Sequence, residues 1–160
     1  MKRIIIIVLF LTAFTTLSKA QIGNYNEAQV PDHTPMMNST WEAIDKMMYK
    51  VSTQGNKKVY TPSYPPVLKK LENTVVDLPG YIVPLVSGRN HSTFMLSVLP
   101  ITQCQFCGTN GIPPMVEIFM KKGSIKYTDE PIKIKGKMVF NPEPLKGNAE
   151  IQIVDAVIVN

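Results

Sequence analysis

The chain holds 160 residues with 17 basic and 12 acidic side chains, a formal charge of +5 and two cysteines. That length supports one domain with its own hydrophobic core and needs no disulfide framework. The basic residues are scattered or paired, as in Lys57-Lys58, Lys69-Lys70 and Lys121-Lys122, which excludes the dense stripe of a polyanion-binding groove.

Lys2 and Arg3 open the chain, followed by an apolar run from Ile4 to Phe14. The run is too short for a stable anchor, which wants about 20 apolar residues. Leu17-Ser18-Lys19-Ala20 then offers small residues before a cut, with Gln21 as the new N-terminus. This is the pattern of a secretory signal peptide, residues 1–20, cleaved after Ala20. It predicts a periplasmic or secreted protein with no stable membrane span after cleavage. Loss of Lys2, Arg3 and Lys19 leaves 14 basic residues against 12 acidic ones, a charge of +2. Nucleic acid is therefore not an expected partner. Export also places the cysteines in an oxidising compartment, where a close pair tends towards a disulfide.

Residues 21–40 are polar, with Pro31 and Pro35 and no periodicity, and read as a flexible leader. The domain is expected over 41–160. Ser39 or Thr40 can cap a short amphipathic helix in which Trp41, Ile44 and Met48 share one face. In the next segment, Pro62, Pro65 and Pro66 argue against regular strand pairing. Val67 to Leu71 can form one helical turn, and Tyr60 and Tyr64 are expected to pack on the core.

From Thr74 the pattern becomes β. The predicted strands are TVVDLPGYIVPL (74–85), His91 to Leu99, MVEIFMKK (115–122), PIKIKGKMVFN (131–141) and Ile151 to Val159. Gly80 marks a bulge or bend in the first of them. In the fourth, Lys133, Lys135 and Lys137 alternate with Ile132, Ile134, Gly136 and Met138, giving one wet face and one dry face. Five short strands with turn signals and no long helix predict a mainly β fold. The expected form is a small five-stranded barrel of the oligonucleotide/oligosaccharide-binding (OB) type with a short N-terminal helix.

Between the second and third strands lies ITQCQFCGTNGIPPMVEIFM, which holds Cys104 and Cys107. Gly108, Gly111, Pro113 and Pro114 support the loop. Three chemistries are open to this pair. A disulfide would shape the loop more than hold the fold, because the closed ring is small. A metal, zinc or copper, would use the cysteines with Met115, Met95 or His91 as additional ligands. His33 lies in the leader, and His91 is expected to be a surface residue at a strand end. Thiol–disulfide exchange would use the same two thiols, although no helix N-terminus is expected to lower their pKa. No catalytic residue is assigned. Asp77, Glu117 and Asp155 are expected to be solvated carboxylates on strand faces.

TWEAIDKMMYKV, YTPSYPPVLKKLENTVVDLPGYIVPL, FMLSVLPITQCQFCGTNGIPPMVEIFM, IKIKGKMVFN and IVDAVIVN resemble a family of small exported bacterial proteins with an OB-like domain of unknown function. The resemblance runs from about Trp41 onward. It is most specific at Gly80 to Leu85 and in the spacing from Cys104 to Met115-Val116. Cys104 matches the family's first Cys, Phe106 stands where the wider family has His, and Cys107 is additional. The Cys-x-Phe-Cys-Gly pattern is similar to a Bacteroidetes-type branch. Some relatives lie beside genes for zinc-uptake transporters. The resemblance thus implies a non-catalytic accessory or binding module, with a transition metal, an envelope protein or a transporter component as its partner.

Overall fold

Five strands with period-2 burial close on themselves and bury their inward residues together. The computed structural model describes residues 36–100, 113–141 and 148–159. The elements in chain order are α1 (Ser39–Asp45), β1 (Met48–Gln54), β2 (Lys57–Ser63), α2 (Pro66–Lys69), β3 (Val75–Pro84) and β4 (Asn90–His91). They continue as β5 (Thr93–Ser97), β6 (Met115–Met120), β7 (Ile125–Lys126), β8 (Ile132–Phe140) and β9 (Ile151–Ile158).

The closed barrel has the order β3-β5-β6-β9-β8. All neighbours are antiparallel except β6 and β9, which run parallel. Counting only the barrel strands, the order is 1-2-3-5-4, the topology of an OB-like barrel. Val76, Leu78, Ile82, Phe94, Leu96, Val116, Ile118, Ile134, Met138, Ile151, Ile153 and Ala156 form the interior. Lys133 and Lys135 point outward and Ile134, Gly136 and Met138 inward, as the alternation predicts.

Two glycines allow closure. β3 changes partner at Gly80: Val75 to Gly80 pair with β8, and Tyr81 to Pro84 with β5. A Cβ on Gly80 would lie 2.7 Å from the carbonyl oxygen of Ser97, so the strands cross too closely there for any side chain. Gly136 stands opposite a bulge in β9. Between the pairs Lys135–Val157 and Lys137–Val154, one residue of β8 faces two of β9. Asp155 takes up the extra residue at φ 52°, a conformation that Asp tolerates better than most side chains. The bulge keeps both Ile153 and Ala156 inward, although they stand three positions apart, a spacing that regular alternation would put on opposite faces.

α1 covers the barrel end formed by the starts of β3, β6 and β9. Its cap is Asn38, whose side chain accepts the N–H of Trp41 at 2.9 Å, in place of the predicted Ser39 or Thr40. The Asn38 amide also donates to the carbonyl of Asp77 at 3.0 Å. Trp41 is fully buried, and its indole N–H donates to the carbonyl of Pro79 at 2.7 Å. Ala43 and Ile44 join the same core.

Met48 departs from the expected helical face. It begins β1 and is 71% exposed, because the helix ends at Asp45. The segment expected to lack regular pairing is instead a hairpin, with β1 and β2 paired from Met48–Ser63 to Gln54–Lys57 around Gly55 and Asn56. Gly55 sits at φ 60°, as a two-residue hairpin turn requires. Tyr64 packs on the core as expected and stacks on Phe140 at 4.1 Å between ring centres. Tyr60 instead stands exposed on the hairpin.

Candidate functional site

Neighbouring strands in the register place Ser97, Met115 and Ile151 at the same end of the barrel as α1. β5 and β6 extend past their last ladder pair, the N–H of Val98 approaching the carbonyl of Pro114 at 3.5 Å. The chain between them, with Cys104, Cys107, Gly108 and Gly111, lies outside the described residues, as does His33.

At this end is a cleft of about 310 Å³. Met95, Pro113, Pro114 and Met115 line it, together with Met47 and Tyr49. Four of the residues singled out around the Cys segment thus meet on one surface. Met95 and Met115 are there because the pleat turns them outward: Phe94, Leu96 and Val116 fill the core and leave their neighbours on the outer face. Asp45 and Glu150 add carboxylates to the wall.

The polar part of the wall is organised by Glu150. Its carboxylate accepts the Tyr49 hydroxyl at 2.5 Å, and its backbone carbonyl accepts the Tyr64 hydroxyl at 3.2 Å. Burial, followed by the hydrogen bond to Glu150, pushes the Tyr49 phenol well above the ordinary tyrosine range. Burial and then the Glu150 charge also raise Tyr64. Both rings therefore remain neutral hydrogen-bond donors at physiological pH.

His91 does not join this cleft. The extended chain runs about 20 Å from His91 to Ser97, so His91 sits at the opposite end of the barrel, on β4 paired with Ile125 of β7. Nor is it a surface residue, as the sequence suggested. It is only 2% exposed, within the small β4–β7 ribbon where it pairs with Ile125. Among the described residues, no three His, Cys, Asp or Glu side chains converge as a metal site would require.

Glu117 was expected to be solvated and is instead 5% exposed. It lies on the outer face of β6, between Met95 of β5 and Gln152 of β9. Its Oε2 accepts the N–H of Ala149 at 3.1 Å and the Gln152 side-chain amide at 3.2 Å. The carboxylate thereby ties the chain entering β9 against the sheet beside the cleft. Nothing local in the sequence marks this role, since Gln152 becomes its neighbour only through the parallel β6–β9 pairing. Glu117→Ala leaves the Ala149 N–H without its acceptor and is expected to lower stability by about 2 kcal/mol. Glu117→Gln, which keeps an oxygen acceptor, should cost about half as much, and urea unfolding of the two variants measures the difference.

Among the described residues, no helix is long and apolar enough to cross a membrane. Comparison of the chain with known protein families, curated proteins and solved structures finds no match.

Proposed function

We propose that this is an exported, non-catalytic binding module whose working surface is the α1 end of the barrel. The observation that supports the reading is the gathering of Met95, Met115, Pro113 and Pro114 around one cleft, at the point where the Cys104/Cys107 segment leaves and rejoins the barrel. The signal peptide pattern supports export, and the resemblance to small exported bacterial proteins points the same way.

The donor set favours a soft cation. Met47, Met95 and Met115 line the cleft, and thioether and thiolate sulfur select copper(I). Zinc is less well served by the described residues, because His91 is at the far end of the barrel and structural zinc wants four N or S ligands. An envelope protein or transporter component that delivers or receives the metal fits the same accessory role. Thiol–disulfide exchange by Cys104 and Cys107 is the alternative function.

Protein recovered from the envelope of an expressing host tests these points together. The mass of the chain should begin at Gln21. After reduction, the protein should retain copper(I) against a chromogenic chelator. Met95→Leu with Met115→Leu should weaken that retention by about tenfold with little loss of stability, because Leu conserves the volume. A cysteine pair that is fully oxidised as isolated, with no metal taken up after reduction, would rule out metal handling. Catalysis of insulin reduction that disappears in Cys107→Ser would establish the exchange reading instead.

A further inference from the structure

The β1–β2 hairpin is a two-stranded sheet separate from the barrel. A ribbon of that kind is marginal alone in water, and a strand edge left open invites another strand unless something blunts it. Its two edges are not equivalent. Pro62 has no N–H, so its backbone must face away from β1, at a pair that exchanges no hydrogen bonds. Its partner is Tyr49. The two-residue turn gives the same phase, because the pair flanking it, Gln54 and Lys57, is the hydrogen-bonded kind. Alternation then turns the backbone of Tyr49, Val51 and Thr53 outward on β1, and that of Lys58, Tyr60 and Pro62 outward on β2.

The β2 edge is therefore interrupted by a proline that cannot donate. The β1 edge is complete over Tyr49, Val51 and Thr53. Among the described residues, no backbone group outside the hairpin bonds to these three. Every residue of β1 is exposed, Val51 by 56%. Tyr49, Val51 and Tyr60 share one face of the ribbon. Charge narrows the partner. From Met48 to Ser63 the hairpin carries Lys50, Lys57 and Lys58 and no Asp or Glu. A second copy would bring like charges together, whereas an acidic chain would meet complementary ones.

We infer that the outer edge of β1, Tyr49 to Thr53, is a docking site for an extended acidic segment of another protein, which adds to the hairpin as a third strand. Backbone hydrogen bonds would hold the segment in place. Alternate apolar side chains would rest on the face of Tyr49 and Val51, and its carboxylates would lie on the opposite face, which carries Lys50 and Lys57. The edge shares Tyr49 with the cleft wall but needs no metal there.

The probe is a capped synthetic peptide alternating glutamate with valine over about eight residues, titrated into the full mature chain and followed by amide NMR. The expected result is binding that weakens as salt rises, with new protection from hydrogen exchange at the amides of Tyr49, Val51 and Thr53. Val51→Pro removes an outward N–H and no bond within the hairpin, and it should weaken binding by about tenfold or more. Lys50→Glu with Lys57→Glu, on the face opposite Val51, should weaken it comparably while leaving the edge intact. The inference is overturned by an absence of binding, by protection at Lys58 and Tyr60 instead, or by equal affinity for a lysine–valine peptide. Concentration-dependent dimerisation that protects the β1 amides would assign the edge to a second copy. Binding to vesicles rich in phosphatidylglycerol that Val51→Pro leaves unchanged would assign the hairpin to a lipid surface. Either result would replace the acidic partner.

Discussion

Replacing Trp41 with alanine is expected to destabilise the protein by about 4 kcal/mol, as for a large aromatic core side chain. Trp41 is the chain's only tryptophan and is fully buried. It ties a helix of seven residues to the barrel. Truncation removes its packing against the barrel end and leaves the Pro79 carbonyl without the indole donor. Trp41→Phe separates the two contributions. It keeps most of the apolar area and loses the hydrogen bond, so about 1.5 kcal/mol should suffice. Urea unfolding followed by circular dichroism reads both, since the fluorescent reporter is the residue being replaced. An alanine variant with the wild-type midpoint would mean that α1 is not part of the cooperative core.

Gly136→Ala is expected to cost about 3 kcal/mol, the upper part of the range for overpacking. The new methyl would lie 2.6 Å from Ile153 Cγ2, 2.9 Å from the Val154 carbonyl oxygen and 3.1 Å from the Ala156 Cα. Two of those three atoms are backbone, so a rotamer change cannot relieve the clash. Gly80→Ala should behave alike, because its closest obstacle is the backbone oxygen of Ser97 at 2.7 Å. Lys133→Ala, on the wet face of the same strand as Gly136, serves as the control and should stay within about 0.5 kcal/mol. If the two glycine variants were as stable as this control, the close approach of strands at both corners would be wrong.

The barrel was legible in the sequence because its strands obey one rule. Lys133 to Met138 alternate wet and dry, and Gly80 breaks β3 where it changes neighbours. The β1–β2 hairpin was not legible, because Pro62 reads as a strand breaker. Its effect depends on which way its nitrogen faces, and only the register with Tyr49 reveals that. Burial of His91 and Glu117 was hidden for a related reason. Each is partnered by chain remote in sequence: Ile125 pairs with the first, and Ala149 and Gln152 hydrogen-bond to the second. The cleft fell between these extremes. Met95, Met115, Pro113 and Pro114 could be named from their place around the cysteines. The parts of its wall contributed by Met47, Tyr49 and Glu150 required the fold.

The place of β9 has a kinetic consequence. It is the last strand of the barrel in sequence, yet it lies between β6 and β8 rather than at a margin. Until residues 151–158 arrive, β6 and β8 have no partner in common, and the nascent polypeptide is a sheet with two unsatisfied borders. Assembly therefore waits on long-range encounters, which places it among the slower two-state topologies, on the scale of milliseconds to seconds. Under the proposed export, such a delay would let the polypeptide pass a translocation channel before it folds.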